Sequence, residues 1–224
     1  MGESIQRMKQ RYGHAWVLSY FGLYVPYFFY LERNIRSDYY NIHLRLDDLI
    51  PFNEYFIIPY LLWFVYMAAA ICYFFFADRG DYYRLCAFLF IGMTVCMVVC
   101  TIFPNGTDLR VWPDPGKNIF ARLVWLLHGI DTSTNIFPSI HAFNSIGVHL
   151  AVTHSRKLSG HTWARWVSGA LAVSVILSTV FLKQHSVLDI LGAGFLAYCL
   201  YPFIYGGLHP RARHAHARAY RPRR

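Results

Sequence analysis

Six stretches of this chain, roughly 15–31, 55–76, 85–103, 139–154, 163–182 and 187–206, are apolar over most of their length. A helix needs about 20 such residues to cross a bilayer. Inside lipid a backbone must satisfy its own N–H and C=O groups, so repeated apolar stretches of this length predict helices. The fold class expected is therefore all-α, a polytopic membrane bundle of about six transmembrane helices. The first stretch, AWVLSYFGLYVPYFFYL, is interrupted by Pro26 and follows Arg7, Lys9 and Arg11. No small-residue cleavage site follows it, so it reads as a retained anchor rather than a signal peptide. The fourth stretch is short and needs neighbours to cover its ends.

Composition agrees where it bears on this reading. Charged residues make up 15% of the chain, against about 25% in soluble domains. The formal charge of +9 raises the question of nucleic acid. The charge lies in short runs between apolar segments and in one tail, so no nucleic-acid partner is expected. The five cysteines, Cys72, Cys86, Cys96, Cys100 and Cys199, lie in or beside apolar segments without a CxxC spacing. They indicate no disulfide framework.

Charge asymmetry sets the expected orientation. With six spans, Arg7, Lys9, Arg11, Arg79, Arg84, Arg156, Lys157, Arg165 and six tail arginines share one side. Arg33, Arg36, Arg45, Arg110, Lys117, Arg122 and Lys183 fall on the other. The positive-inside rule then puts both termini in the cytoplasm. Residues 1–206 are expected to form one integral-membrane domain and 207–224 a basic cytoplasmic tail. The outer loop 104–138 contains a helical pattern at 117–129 and the glycosylation sequon Asn105-Gly106-Thr107. The tail carries His-Ala-His, a weak metal-binding spacing that reads better as part of a topology-setting or lipid-touching tail.

Three segments then meet on the extracytoplasmic face: FPNGTDLRVWP with Arg110, NIFPSIHAF with Ser139 and His141, and STVFLKQHSVLD with Ser178, Lys183, His185 and Asp189. His185 and Asp189 are four apart, which places them on one helix face. The carboxylate can fix the imidazole tautomer and leave the second ring nitrogen free to attack. The alternative is a structural His–Asp hydrogen bond. A metal at this pair would need a third ligand from His141 or His128, and no metal or cofactor is expected. Pro138 and Ser139 read as a helix start, and His185 also stands near one. Two helix N-termini facing one cavity would offer free N–H groups to an anion. Arg110 and Lys183 would add fixed positive charge, with Lys117 and Arg122 as rival phosphate ligands.

PSIH at 138–141 and SxxxxxxHxxxD at 178–189 resemble the second and third motifs of the type 2 phosphatidic acid phosphatase superfamily, PSGH and SRxxxxxHxxxD. Ile140 stands where the family has Gly, and Thr179 where it has Arg. The first family motif, KxxxxxxRP, is represented by Arg110, with Val111 after it and Phe103 at the Lys position. These departures, and DDLIPFNEYF at 47–56, resemble the branch containing inositol phosphorylceramide and sphingomyelin synthases. The resemblance implies that His185 attacks phosphorus, Asp189 holds its ring, and His141 carries the proton. It further implies that Arg110, Lys183, Ser139 and Ser178 contact phosphate. A lipid phosphate substrate would be hydrolysed without a metal, or transferred if an alcohol replaces water. Two readings from other classes remain: a serine hydrolase with Ser139 as nucleophile beside His185 and Asp189, and a lipid or ion transporter lined by the same polar cluster. Trp112 and Trp125 read as an interfacial belt or a headgroup pocket.

Overall fold

A computed structural model describes Gln6 and residues 11–34 and 38–208. Most of the basic tail, with its His-Ala-His, lies outside the described residues. Eight α-helices are present among them: α1 (Phe21–Arg33), α2 (Arg45–Leu49), α3 (Ile57–Ala77), α4 (Arg79–Ile102), α5 (Ile119–Ile130), α6 (Ile140–His154), α7 (Thr162–Phe181) and α8 (Val187–Tyr205). Four segments are long and apolar enough to cross a membrane: Glu54–Ala77, Arg79–Ile102, Thr162–Phe181 and Val187–Tyr205. The protein is thus a mostly helical membrane protein. Large apolar side chains face outward along these helices, including Phe76, Trp166, Phe195 and Phe203, the last 85% exposed. A soluble monomer rarely shows so much apolar surface, whereas a lipid-facing belt requires it.

The two remaining apolar stretches differ from those four in a physical way. The first divides into a 3-10 segment, Gly13–Tyr20, followed by α1, with Pro26 inside α1. It lies along α4, where Tyr20 stacks on Phe90 at 4.3 Å. Its hydroxyls meet Thr94 (Tyr20, 3.0 Å) and Thr101 (Tyr27, 2.7 Å). The other, α6, has only 15 residues, yet it packs against α3, α4, α7 and α8 together. A short polar-tipped helix is tolerated there because its neighbours, not lipid, cover it. Phe143 of α6 stacks on Phe88 of α4 at 5.0 Å. That approach needs Gly92, since a Cβ there would stand 2.0 Å from the Phe143 ring. Close helix approach over small residues is how membrane helices gain dispersion contacts.

Side-chain caps set the helix starts. Asp78 accepts from Asp81 N, Asn118 from Ala121 N, Ser139 from Ala142 N and Ser186 from Leu188 N. Between helices, Tyr40–Asn41 pairs in parallel with Asn105–Gly106, and Gly106 bridges Thr134. These two-residue strands tie together loops that the sequence gives no reason to associate. Gly106 is required at the junction, because a Cβ would come within 2.8 Å of the Ser133 carbonyl and the Tyr39 ring. Asn105 is 1% exposed. Its amide donates to Phe103 O and its oxygen accepts from Ile136 N and Phe137 N. The sequon asparagine is therefore a loop staple rather than an open glycan acceptor.

Candidate active site

The start of α8 carries the first half of the site. His185 Nδ1 donates to Asp189 Oδ2 at 3.1 Å, as the four-residue spacing predicts. The carboxylate assigns the ring proton to Nδ1 and leaves the lone pair on Nε2. Asp189 is fully buried and His185 is 7% exposed. The same Asp189 oxygen accepts from Ser186 N at 2.9 Å, completing a reciprocal cap with the Ser186 hydroxyl. Asp189 Oδ1 is buried without a hydrogen-bond partner among the described residues. His185 itself is held from behind, its backbone N donating to Thr179 O at 3.1 Å.

The second half is the start of α6. Ser139 is its cap, and Ser139 N donates to Asp189 O at 3.2 Å, a direct bond between the two motifs. One residue into the helix, the His141 ring lies edge-on to that of His185, with centroids 5.7 Å apart. Among the described residues no carboxylate bonds His141. It is held between two aromatic rings of α3 instead, Tyr60 at 4.6 Å and Trp63 at 4.4 Å. Neither ring nitrogen of His141 has a hydrogen-bond partner among the described residues. The Trp63 indole N–H is likewise buried and unpaired. Tyr60 is fixed by donating to Asp131 Oδ2 at 2.8 Å, and burial raises the Asp131 carboxyl above the ordinary range.

The two helix N-termini are not equivalent, contrary to the sequence expectation that both would be free. At α8, Ser186 N bonds Asp189, Val187 N bonds Asp47 Oδ1, Leu188 N bonds Ser186 Oγ and Asp189 N bonds Ser186 O. Every N–H of that first turn is thus engaged by the protein. At α6, Ala142 N and Phe143 N bond Ser139. Ile140 N and His141 N find no partner among the described residues, and both lie beside the histidine pair.

The expected phosphate ligands have diverse fates. Arg110 Nη1 donates to Asp131 O at 2.6 Å, and Nη2 to Thr132 O at 2.7 Å and Gln184 Oε1 at 2.5 Å. It therefore staples the 131–132 loop to the residue before His185, with only Nε buried and unpaired. Burial lowers its pKa, and Asp131, Tyr60 and Glu32 oppose that shift. Lys183 Nζ donates to the Asp47 carbonyl. The Ser178 hydroxyl bonds Val175 O in its own helix and does not join the site. Of the rivals, Lys117 pairs with Glu54 at 2.6 Å and Arg122 is exposed. His128 is wedged edge-on against Trp112 at 5.3 Å. Burial, then Arg110, pulls its pKa down to about 4.

No known family, curated protein or solved structure matches this chain. The chemistry open to the site follows from its own residues. One imidazole has a carboxylate-fixed tautomer and a free lone pair. A second imidazole stands edge-on to it, with ring centroids 5.7 Å apart. Among the described residues Ser139 Oγ accepts from Ala142 N and bonds neither histidine. A cavity of about 360 Å³ lies elsewhere, lined by Tyr27, Tyr30, Tyr39, Asn105 and Asn135 among others. It backs onto the loop leading to Ser139 and does not include the histidines.

Asp47, Tyr60 and Trp63 belong to the site although sequence reasoning did not assign them to it. Asp47 had a faint signal, the Asp before Ile-Pro-Phe. Tyr60 and Trp63 had none that separates them from interfacial aromatics.

Proposed function

We propose that this chain is an integral-membrane lipid phosphatase of the type 2 phosphatidic acid phosphatase kind, hydrolysing a phosphomonoester or diphosphate lipid through a phosphohistidine. The observation that carries this reading is the unequal pair: His185 locked to Asp189, and His141 facing it without a carboxylate. In the first half, His185 Nε2 forms a bond to phosphorus as the P–O bond to the lipid breaks. The leaving oxygen takes a proton from His141. In the second half, water attacks phosphorus, His141 removes its proton, and the P–N bond breaks to release phosphate. Negative charge on the non-bridging oxygens falls beside Ile140 N and His141 N, donors at a helix N-terminus. The Trp63 indole, whose N–H has no partner among the described residues, packs against the His141 ring at 4.4 Å.

The reading includes six spans, with the stretch ending in α1 and helix α6 also crossing the membrane. The charge asymmetry then puts both termini in the cytoplasm and the histidines at the outer leaflet. The test is release of inorganic phosphate from phosphatidic acid and prenyl diphosphate by purified protein. Release that is lost in His185→Ala supports the reading. Headgroup exchange onto an added alcohol without phosphate release would make the enzyme a phosphotransferase of the inositol phosphorylceramide synthase type instead. Undiminished turnover in His185→Ala would overturn both.

A further inference from the structure

We infer that Asp47 is a positioning residue for His185: it clasps the turn that carries the histidine on both sides. This rests on the phosphohistidine reading above. Asp47 sits in α2, far from α8 in sequence, and is 2% exposed. Its Oδ2 accepts from Ser186 Oγ at 2.6 Å and its Oδ1 from Val187 N at 2.8 Å. Its backbone carbonyl accepts from Lys183 Nζ. The three contacts fall at 183, 186 and 187 and so straddle His185. They do not touch the ring, which answers to Asp189.

The turn needs such a clasp. Lys183 has φ 58°, a left-handed conformation that glycine normally supplies at a helix C-terminus. Here the side chain itself reaches across to Asp47. A carboxylate also suits the place for two physical reasons. It sits at the N-terminus of α8, where negative charge is favoured. It also accepts three hydrogen bonds, the third from Leu44 N at 2.8 Å, and an acceptor-only group satisfies all three donors. Asp47 thereby occupies the helix terminus that a phosphate would otherwise compete for. Phosphate is left the α6 side, facing His185 Nε2. The adjacent Asp48 makes the contrast: it is exposed, and among the described residues it bonds His43 alone, at 2.8 Å.

The experiment compares wild type with Asp47→Ala, Ser186→Ala, the double variant and Asp48→Ala in detergent, with thermal unfolding checked for each. Two readouts are used, phosphate release from phosphatidic acid and the rate at which diethyl pyrocarbonate modifies His185, read by mass spectrometry. A displaced nucleophile costs on the order of 100-fold, so Asp47→Ala is expected to lower kcat by about that factor with KM little changed. His185 modification is expected to rise roughly tenfold, the scale of a lost buried hydrogen bond or two. The double variant should lose little more than Asp47→Ala, because both changes break one contact set. Asp48→Ala should stay within about twofold, as exposed pairs contribute little. If Asp47→Ala fails to fold, Ser186→Ala must show the same direction with a smaller size. Unchanged kcat and unchanged His185 modification in the folded variants would overturn the clasp. A wild type that releases no phosphate, while His185 modification still rises in Asp47→Ala, would overturn the phosphoryl reading and leave the clasp standing.

Discussion

The starts of α6 and α8 carry the two histidines, and they resemble each other in sequence: each has a serine cap and a histidine within two residues. Their hydrogen bonding is opposite. At α8 the first-turn N–H groups are closed by Asp47, Asp189 and Ser186. At α6 the N–H groups of Ile140 and His141 have no partner among the described residues. A helix terminus has one set of orphan donors, and it can use them to fix its own residues or to hold an anion, not both. The α8 terminus is built to hold His185 still. On the proposed reading, the α6 terminus is the one that receives the phosphate charge.

The largest effect that would break this comparison is at His185, the proposed nucleophile. Replacing His185 by Ala is expected to remove at least about 10⁴-fold of kcat, as loss of a covalent nucleophile does. His141→Ala should cost roughly 10²–10⁴-fold, the range of a general acid–base group. Equal losses in kcat and kcat/KM would place both in the transition state, and activity that survives His185→Ala would contradict the division of roles.

A smaller effect sharpens the two termini directly. Saturating vanadate, a phosphate mimic, should slow amide exchange at Ile140 and His141 by about tenfold, as a ligand at about ten times its Kd does. Val187 and Leu188 should not respond, because their N–H groups are already bonded. Protection at Val187 rather than Ile140 would reverse the assignment. Next in size, Ser139→Ala should lose about 0.5–2 kcal/mol of stability as a cap, measured by thermal unfolding. Activity per folded molecule should fall less than about tenfold, the range of one cap's loss. Complete loss of activity would point to Ser139 as a nucleophile.

The smallest expected effect is at the loop edge. His43 donates between Asp48 (2.8 Å) and Asp108 (3.0 Å), and the Asp48 bond raises its pKa above the ordinary value of about 6.5. Its contribution is complete below that unfolded value and is lost as pH rises through the raised folded value. An NMR titration of the His43 ring should give a midpoint above about 6.5. A midpoint at or below it would mean the bridge does not persist in solution.

The sequence makes some of this legible and hides the rest for physical reasons. Apolar length announces α3, α4, α7 and α8 because lipid acts on every residue of a span. It also marks α6, whose tolerance for shortness appears only once its four neighbours surround it. The His185–Asp189 bond is legible because four-residue spacing on a helix fixes it locally. Arg110 and Lys183 read as free cations, yet both grip carbonyls. A sequence shows that a donor exists but not which loop will come within its reach. Ser178 fits a motif and turns to its own helix. Asp47 is hidden because its contacts to Lys183, Ser186 and Val187 join segments about 140 residues apart.

The central claim is that phosphorus becomes bonded to His185. Rapid quenching of the enzyme with lipid phosphate, followed by peptide mass spectrometry at alkaline pH, tests it most directly. The account predicts a base-stable, acid-labile phosphate on the peptide containing His185, absent from His185→Ala. A phosphate adduct on Ser139, or turnover with no adduct on any histidine, would contradict it.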